Sequence, residues 1–212
     1  MAVLRVNPTR MELTQMKRRL VTAKRGHKLL KDKRDELVRR FILIVKENAK
    51  LRKQVELELG DALKDFALAR AVMEPGAMYQ ALLYPARTAS MTFGKRSILS
   101  VPVPVYQMDE SSLSKSVLPY GMVETSSQLD GAIETMAKVL PLLIKLAETE
   151  KTSTLLADEI QKTRRRVNAL EYVMIPQFEE TIRYITMKLD ENERSALTRL
   201  MKVKDMIAER AT

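Results

Sequence analysis

A seven-residue apolar repeat near the N-terminus is the feature that most constrains the fold. From Leu13 to Ala62, a stripe of positions recurs in alternating steps of three and four residues, and 11 of its 15 positions are apolar. No proline occurs between Pro8 and Pro75. A heptad stripe of this length stays on one side of a helix only when the helix supercoils to the left around a partner. The chain from about residue 9 to residue 71 is therefore predicted to form one coiled-coil helix, about 95 Å long.

A second stripe runs from Leu156 to Val203. Three steps of four residues follow one another between Leu170 and Ile182, around Pro176. Such a stutter unwinds a supercoil locally, and a proline bends the helix. Because the segment between the stripes looks compact, we expect antiparallel pairing within one chain, with residues 20–44 against 182–203 and both chain ends at one tip. Pairing of each stripe with a second copy of itself remains an alternative.

The middle of the chain has a different pattern. Residues 91–93 and 98–106 are β-prone, and Gly94-Lys95-Arg96 between them has the composition of a turn. Pro102 and Pro104 lie two residues apart, so both lack a donor on the same strand edge, as suits an exposed edge strand. The sequence predicts a β-hairpin over about 88–108 and a serine-rich loop over 109–120.

These patterns predict a mainly α fold, namely a long antiparallel two-helix coiled coil with a short β-hairpin and loops in the middle. The expected domains are residues 1–74 as the N-terminal helix, residues 75–122 as the middle region, and residues 123–212 as the C-terminal helix. Kinks are expected near Pro141 and Pro176. Ser126 or Ser127 is expected to cap the C-terminal helix.

Positive charge is concentrated on the first helix. Residues 10–60 contain 16 Lys and Arg against 7 Asp and Glu, while residues 145–212 contain 13 against 12. Such a field favours acidic partners. The chain contains no cysteine and no apolar run of the roughly 20 residues that cross a bilayer. We expect a soluble cytoplasmic protein without membrane insertion.

The residues that carry chemistry do not form a recognisable set. His27 is the single histidine and lies on the apolar stripe, and no His, Asp or Glu cluster has the spacing of metal ligands. Gly94-Lys95 lacks the other residues of a phosphate-binding loop. We predict no catalytic residue, no cofactor and no metal site. The polar residues on the stripes either fix the coiled-coil register or face a third partner or solvent; they are His27, Arg34, Asn48, Glu58, Thr163 and Asn192.

The triplet Arg164-Arg165-Arg166 invites a nucleic-acid interpretation. Proteins that bind single strands combine basic residues with aromatic side chains for stacking, and only 5% of this chain is aromatic. Nucleic acid is therefore not the expected partner. A cytoplasmic coiled-coil scaffold or nucleic-acid-binding tether remains the alternative function.

Three sequence blocks resemble the D subunit of the V-type/A-type ATPase (ATP synthase). They are Asn7 to Met11, Gly26 to Leu37, and Thr163 to Tyr172 followed by Ile175-Pro176. The resemblance covers the whole chain in order and spacing, although residues 76–122 match only in pattern.

The resemblance implies a non-catalytic central stalk, or rotor shaft. Such a shaft transmits torque between a membrane ring that moves protons or sodium ions and a ring of catalytic A and nucleotide-binding B subunits. Its other implied partners are the F subunit of the central stalk and the linking component called C or d. Its implied place is the cytoplasmic face of the cell membrane. The expected partner interface comprises Arg10, Arg18, Arg19, Lys24, Arg25, Lys28, Arg164, Arg165 and Arg166.

Overall fold

The fold is mainly helical, with one β-hairpin. The computed structural model describes residues 4, 6–83, 89–109, 118, 120–121 and 125–211. The predicted fold class is confirmed, whereas most of the predicted loop 109–120 lies outside the described residues. In chain order the elements are α1 (Arg10–Val72), α2 (Pro75–Leu82), β1 (Met91–Ile98), β2 (Val101–Met108), α3 (Ser127–Ala169), a π-helical turn (Leu170–Met174) and α4 (Ile175–Ala211).

Short polar side chains cap the two long helices that begin after a loop. The hydroxyl of Thr9 accepts a hydrogen bond from the Glu12 amide at 3.2 Å, at the start of α1. The hydroxyl of Ser126 accepts from the Gln128 amide at 3.2 Å, at the start of α3. Of the two serines considered, Ser126 is therefore the one that caps α3.

Helix α2 was not predicted from the sequence. Pro75 occupies its first turn, where a missing amide proton costs little and the fixed φ favours a helix. Glu74-Pro75-Gly76 therefore separates two helices. Helix α3 continues through Pro141, and a bend at that proline stays a prediction.

The chain forms two compact units. The first contains residues 1–35 and 161–212, and the second contains residues 36–160. In the first unit, α1 and α4 are antiparallel, because Arg10 pairs with Glu193 while Lys24 Nζ lies 2.7 Å from Glu179 Oε1. The side chains buried in this unit are Met16, Thr163, Val167, Thr181 and Ile185.

The π-helical turn coincides with the predicted stutter. The amide of Ile175 donates to the carbonyl of Leu170, five residues back instead of four. Pro176 follows directly and has no amide proton to donate. A wider turn accommodates the extra residue that the stutter places in the heptad pattern, and five-residue turns of this kind recur at functional sites.

In the second unit, α1 and α3 are antiparallel and enclose two apolar clusters. Leu37 lies in the cluster of Leu156, and Ala69 lies in the cluster of Leu129, so the two helices run in opposite directions. Between the clusters, Asn48 Nδ2 donates to Thr149 Oγ1 at 3.3 Å. One cluster joins α1, α2 and α3; its buried residues are Ala69, Met73, Met78, Ala81 and Leu129. The other joins the hairpin to α1 and α3; its buried residues are Leu37, Val101, Val103 and Leu156.

The hairpin turn lies at Leu99-Ser100, so the predicted turn at Gly94-Lys95-Arg96 was wrong. Leu99 and Ser100 have φ angles of 49° and 70°. Gly94 lies inside β1 and pairs with Val105. A two-residue hairpin turn with two positive φ angles usually carries Asn or Gly. Because neither residue is of that kind, the local sequence gave no indication of the turn.

The α1–α4 register differs from the predicted pairing of residues 20–44 with residues 182–203. Since Arg10, the first residue of α1, lies opposite Glu193, residues 194–211 of α4 extend past the start of α1. The segment before α1 turns back instead of continuing alongside them. The amide of Leu4 donates to Thr181 Oγ1 at 3.2 Å, and the same hydroxyl donates to the Gln177 carbonyl.

Among the described residues, none of the helices is apolar over a length sufficient to cross a membrane.

Candidate partner-binding surface

All nine residues of the predicted partner interface are exposed. Two of them are engaged within the first unit, because Arg10 pairs with Glu193 and Lys24 pairs with Glu179 of α4. These ion pairs are solvent-exposed and each contributes about 0–1 kcal/mol. Arg10 and Lys24 therefore help to set the helix register, and their charges are partly neutralised before any partner arrives.

Three of the remaining cations form a basic face on α1, consisting of Arg18, Arg25 and Lys28. Their spacings of seven and three residues place them on one side of the helix. None of the three forms an ion pair within the described part of the chain. The basic face therefore points its charge at solvent and is available to an acidic partner. Arg19 is also exposed but lies on a different side of α1.

The predicted triplet Arg164-Arg165-Arg166 lies near the end of α3, in the same unit. All three side chains are exposed, between the buried Thr163 and Val167. His27 lies opposite Glu171, so the triplet, which precedes Glu171, lies farther along the helix pair than the basic face does. The first unit thus carries two separate basic segments.

The sequence interpretation missed an apolar face at the end of α4. Ala196, Leu200, Val203 and Ile207 recur in steps of four, three and four residues, which places them on one side of the helix. Leu200 is 65% exposed and Ile207 is 63% exposed. The sequence predicts that this stripe pairs with the first helix in the coiled coil. Only the register of the two helices, with Glu193 opposite Arg10, shows that this part of α4 lies beyond the start of α1.

We name these residues the apolar tip: Ala196, Leu197, Leu200, Met201, Val203, Met206 and Ile207. Six of them are large hydrophobic side chains that are exposed in the structure. Clustered exposed apolar side chains on a protein surface mark contact sites for other macromolecules. The apolar tip is therefore the second component of the candidate surface.

The polar residues on the two stripes behave differently from one another. His27 Nε2 lies 3.3 Å from Glu171 Oε2, and Asn48 bonds Thr149, so these two residues link neighbouring helices. Thr163 is buried, whereas Arg34 bonds the adjacent Asp35. His27 and Asn48 are therefore the residues to which the register-fixing alternative applies, and it stays a prediction for them.

Among the titratable groups that the structure describes, one has a strongly shifted pKa. Burial raises the pKa of the Tyr120 phenol above its ordinary value, and a hydrogen bond from its hydroxyl to Asp130 at 2.7 Å raises it further. This pair lies beside the first apolar cluster of the second unit, against which Tyr120 packs. The hydrogen bond joins Tyr120 to the first turn of α3. Within the described ranges, no three His, Asp or Glu side chains gather closely enough to hold a metal ion.

Comparison with known proteins gives one consistent result. A model of the family described as the D subunit of ATP synthase matches residues 12–205. The chain is 58% identical to the V-type ATP synthase D subunit of Acetivibrio thermocellus over 212 residues, covering 100% of this chain and 96% of the relative.

Two further relatives have the same description. Identity to the V-type ATP synthase D subunit of a Thermoanaerobacter species is 56% over 207 residues, covering 98% of this chain and 99% of the relative. Identity to the protein of the same description from Clostridium botulinum is 57% over 209 residues, covering 98% and 97%. With a family match over nearly the whole chain and relatives at this level of identity, the chain belongs to the family of ATP synthase D subunits.

Proposed function

We propose that this chain is the central rotor shaft of a V-type ATP synthase. In this role it transmits torque between the ion-translocating ring in the membrane and the ring of catalytic A and B subunits. Family membership supports a component of a rotary ATPase over the alternative of a coiled-coil scaffold or nucleic-acid tether. The rotation and its coupling to ion flow are what the family resemblance implies, and the surfaces described next support insertion into a ring.

The observation that carries the proposal is the exposed surface of the first unit. An apolar tip lies at one end of the antiparallel helix pair, and an uncompensated basic face follows on α1. Exposed apolar side chains lower their free energy when another protein covers them. The basic face adds attraction toward acidic loops and orients the approach. Both features suit insertion into a surrounding ring of subunits.

Torque transmission follows from the asymmetry of this helix pair. The apolar tip belongs to α4 alone, and the basic face belongs to α1 alone. Three catalytic sites around the shaft therefore meet different surfaces at any one angle. Each angle favours the open or closed state of a different site, so that rotation changes the populations of the three sites in sequence.

The remaining partners are proposed to bind the part of the chain that lies outside the catalytic ring. We propose that the F subunit binds the second unit and that the component called C or d links it to the membrane ring. The complex would then lie on the cytoplasmic face of the cell membrane and couple ATP synthesis or hydrolysis to proton or sodium transport. The chain itself is proposed to be non-catalytic, with the chemistry performed by the A and B subunits.

Reconstitution with the A and B subunits tests the proposal. A bead attached to a cysteine placed in the second unit, which has none of its own, should rotate when ATP is added to the immobilised ring. Replacement of Leu200, Val203 and Ile207 by serine should weaken insertion while leaving helix content unchanged. The shaft role is rejected if ATP is hydrolysed by the full complex while the bead stays at one angle. Hydrolysis by the isolated chain, abolished by one point mutation, would reject the non-catalytic role.

A further inference from the structure

The two edges of the β-hairpin differ in their hydrogen-bonding groups. Because Leu99-Ser100 is a two-residue turn, Ile98 and Val101 form the closing hydrogen-bonded pair. In an antiparallel ladder every second residue then bonds across the pair, so the amides of residues 92, 94 and 96 donate to carbonyl oxygens of β2. The bond from the Asp109 amide to the Ser90 carbonyl, at 3.2 Å, has the same phase. The amides of residues 93, 95 and 97 therefore point away from β2.

The outer edge of β2 cannot accept another strand. Pro102 and Pro104 occupy outward-pointing positions and have no amide proton to donate. The next outward amide, that of Tyr106, donates to Glu148 Oε2 of α3 at 3.0 Å. Proline and coverage by a helix are two of the ways in which proteins block strand addition. Both are used on this edge.

The outer edge of β1 has no such protection. Residues 92–97 are all exposed and include no proline. In the described part of the chain, the sheet has only two strands, so no third strand pairs with β1. An exposed strand edge with free donors and acceptors binds other strands unless it is blocked. This edge is therefore a competent docking site for an extended segment.

We propose that the outer edge of β1 binds an extended acidic segment of a neighbouring subunit by strand addition. The inference rests on the proposed function only in that the assembly supplies this neighbour. Main-chain bonds to residues 93, 95 and 97 provide the affinity in this mode of recognition, and alternate side chains provide the specificity.

The side chains on β1 define the chemistry of the segment. Lys95 and Arg96 are exposed and form no ion pair within the described residues, which favours carboxylates opposite them. Phe93 is 75% exposed and contacts Tyr106 edge to face, with ring centroids 5.5 Å apart. Its outer surface offers an apolar contact close to Lys95. The expected segment therefore combines an acidic residue with an apolar residue two positions away.

A second copy of this chain is a poorer occupant. Two β1 strands that paired edge to edge would bring the Lys95 and Arg96 side chains of both copies together. Like charges on facing strands destabilise the pairing. The positive charge on β1 thus selects against self-association and in favour of an acidic partner.

Hydrogen exchange at single-residue resolution tests the proposal in the assembled complex. In the isolated chain, the amides of residues 93, 95 and 97 should exchange rapidly, and those of residues 92, 94 and 96 slowly. On assembly, the first set should slow by about tenfold or more, because its amides enter hydrogen bonds. The second set provides an internal control, since its bonds to β2 are already present.

Two variants separate the main-chain bonds from the charge. Lys95→Pro removes an outward amide that β2 does not use, so residues 92, 94 and 96 should stay slow while residues 93 and 97 lose their protection on assembly. Lys95→Gln keeps the amide and should retain part of the protection.

Three results would overturn the inference. In the first, the amides of residues 93, 95 and 97 exchange equally fast in the free chain and in the complex. In the second, their protection on assembly persists in Lys95→Pro. In the third, these amides become protected in the free chain as its concentration rises. The last result would identify a second copy as the occupant. Rotation by a complex in which residues 93, 95 and 97 still exchange rapidly would reject strand addition and leave the shaft role intact.

Discussion

His27 Nε2 of α1 lies 3.3 Å from Glu171 Oε2 in the π-helical turn, and this contact joins the two helices of the first unit. The side chain of His27 is 20% exposed and that of Glu171 is 48% exposed. A polar residue in an apolar stripe is thus matched by a polar residue at the point where the partner helix widens. Pairs of this kind favour one register among several that have similar apolar contacts.

Removing this contact should have small consequences. Because Glu171 is about half exposed, the loss of this contact in His27→Ala is expected to contribute only about 0–1 kcal/mol to the change in the free energy of unfolding. ATP hydrolysis by the reconstituted complex should stay within about a few-fold of wild type for His27→Ala, Glu179→Ala and Glu180→Ala, since no chemical step uses these groups. Complete loss of hydrolysis in one of the three would show that the residue acts in the reaction.

The antiparallel register predicts which cysteine pairs crosslink. Cysteines at positions 24 and 179 should be joined within one chain by a short bifunctional maleimide, because the ends of the Lys24 and Glu179 side chains meet across α1 and α4. A linker is used because a direct disulfide requires Cα atoms less than about 7 Å apart. The matched pair at positions 10 and 204 should not be joined, since residue 204 extends past the start of α1. The natural chain contains no cysteine, so mass spectrometry under non-reducing conditions gives an unambiguous result. Crosslinks found only between chains would replace the intramolecular pairing with a dimer.

Charge reversal on the basic face should weaken assembly. Replacement of Arg18, Arg25 and Lys28 by glutamate inverts the field that the proposed ring meets, and we expect the affinity for the A and B subunits to fall by about tenfold or more at low salt. The loss should shrink as salt is added. Triple replacement of the exposed Lys46, Lys50 and Lys53 changes the charge equally on the same helix and serves as the control. Equal losses in both variants would mean that net charge matters and position does not.

The hairpin core should contribute measurably to stability. Leu156 of α3 is fully buried in the same cluster as Val103 of β2. Leu156→Ala is expected to lower the free energy of unfolding by about 2–5 kcal/mol in urea titrations.

Deletion of the hairpin should leave the helices folded by circular dichroism and alter the ATPase rate of the complex. Loss of the helical signal would instead make the hairpin essential for folding.

Tyr120 should make stability depend on alkaline pH. Its pKa is raised in the folded chain, mainly by burial and further by the hydrogen bond to Asp130. The unfolded phenol loses its proton at about pH 10 and the folded one at higher pH, so this contribution is complete below about pH 10 and declines as pH rises toward the folded pKa. Tyr120→Phe should therefore lose less stability than wild type above about pH 10. Parallel urea-unfolding curves for both proteins across that range would contradict the assignment.

The sequence predicted the helices well because their signals are long. A heptad stripe and the absence of proline over more than sixty residues determine α1. The stutter before Ile182 likewise marked the π-helical turn, although not its five-residue hydrogen bond. The nine basic residues of the expected partner interface are all exposed, although their contact with a partner stays a prediction.

Features that depend on tertiary geometry were not predictable. The turn forms at Leu99-Ser100 although neither residue is glycine or asparagine. The packing of Val101 and Val103 in the hairpin cluster outweighs the local preference for those residues. The end of α4 has the same apolar periodicity as its paired part. Only the position of Arg10 opposite Glu193 reveals that the pattern continues beyond the second helix.

The extension of α4 past α1 has a mechanical consequence. A single helix has a radius of about 5 Å with its side chains, roughly half that of a paired segment. A tangential force on residues 194–211 thus acts on a short lever arm and produces little turning moment. Sliding distance per revolution is equally small there, so friction against a surrounding collar is low. In the proposed rotor shaft, we therefore expect this end to act as a centring pivot, with the driving force applied where two helices run side by side.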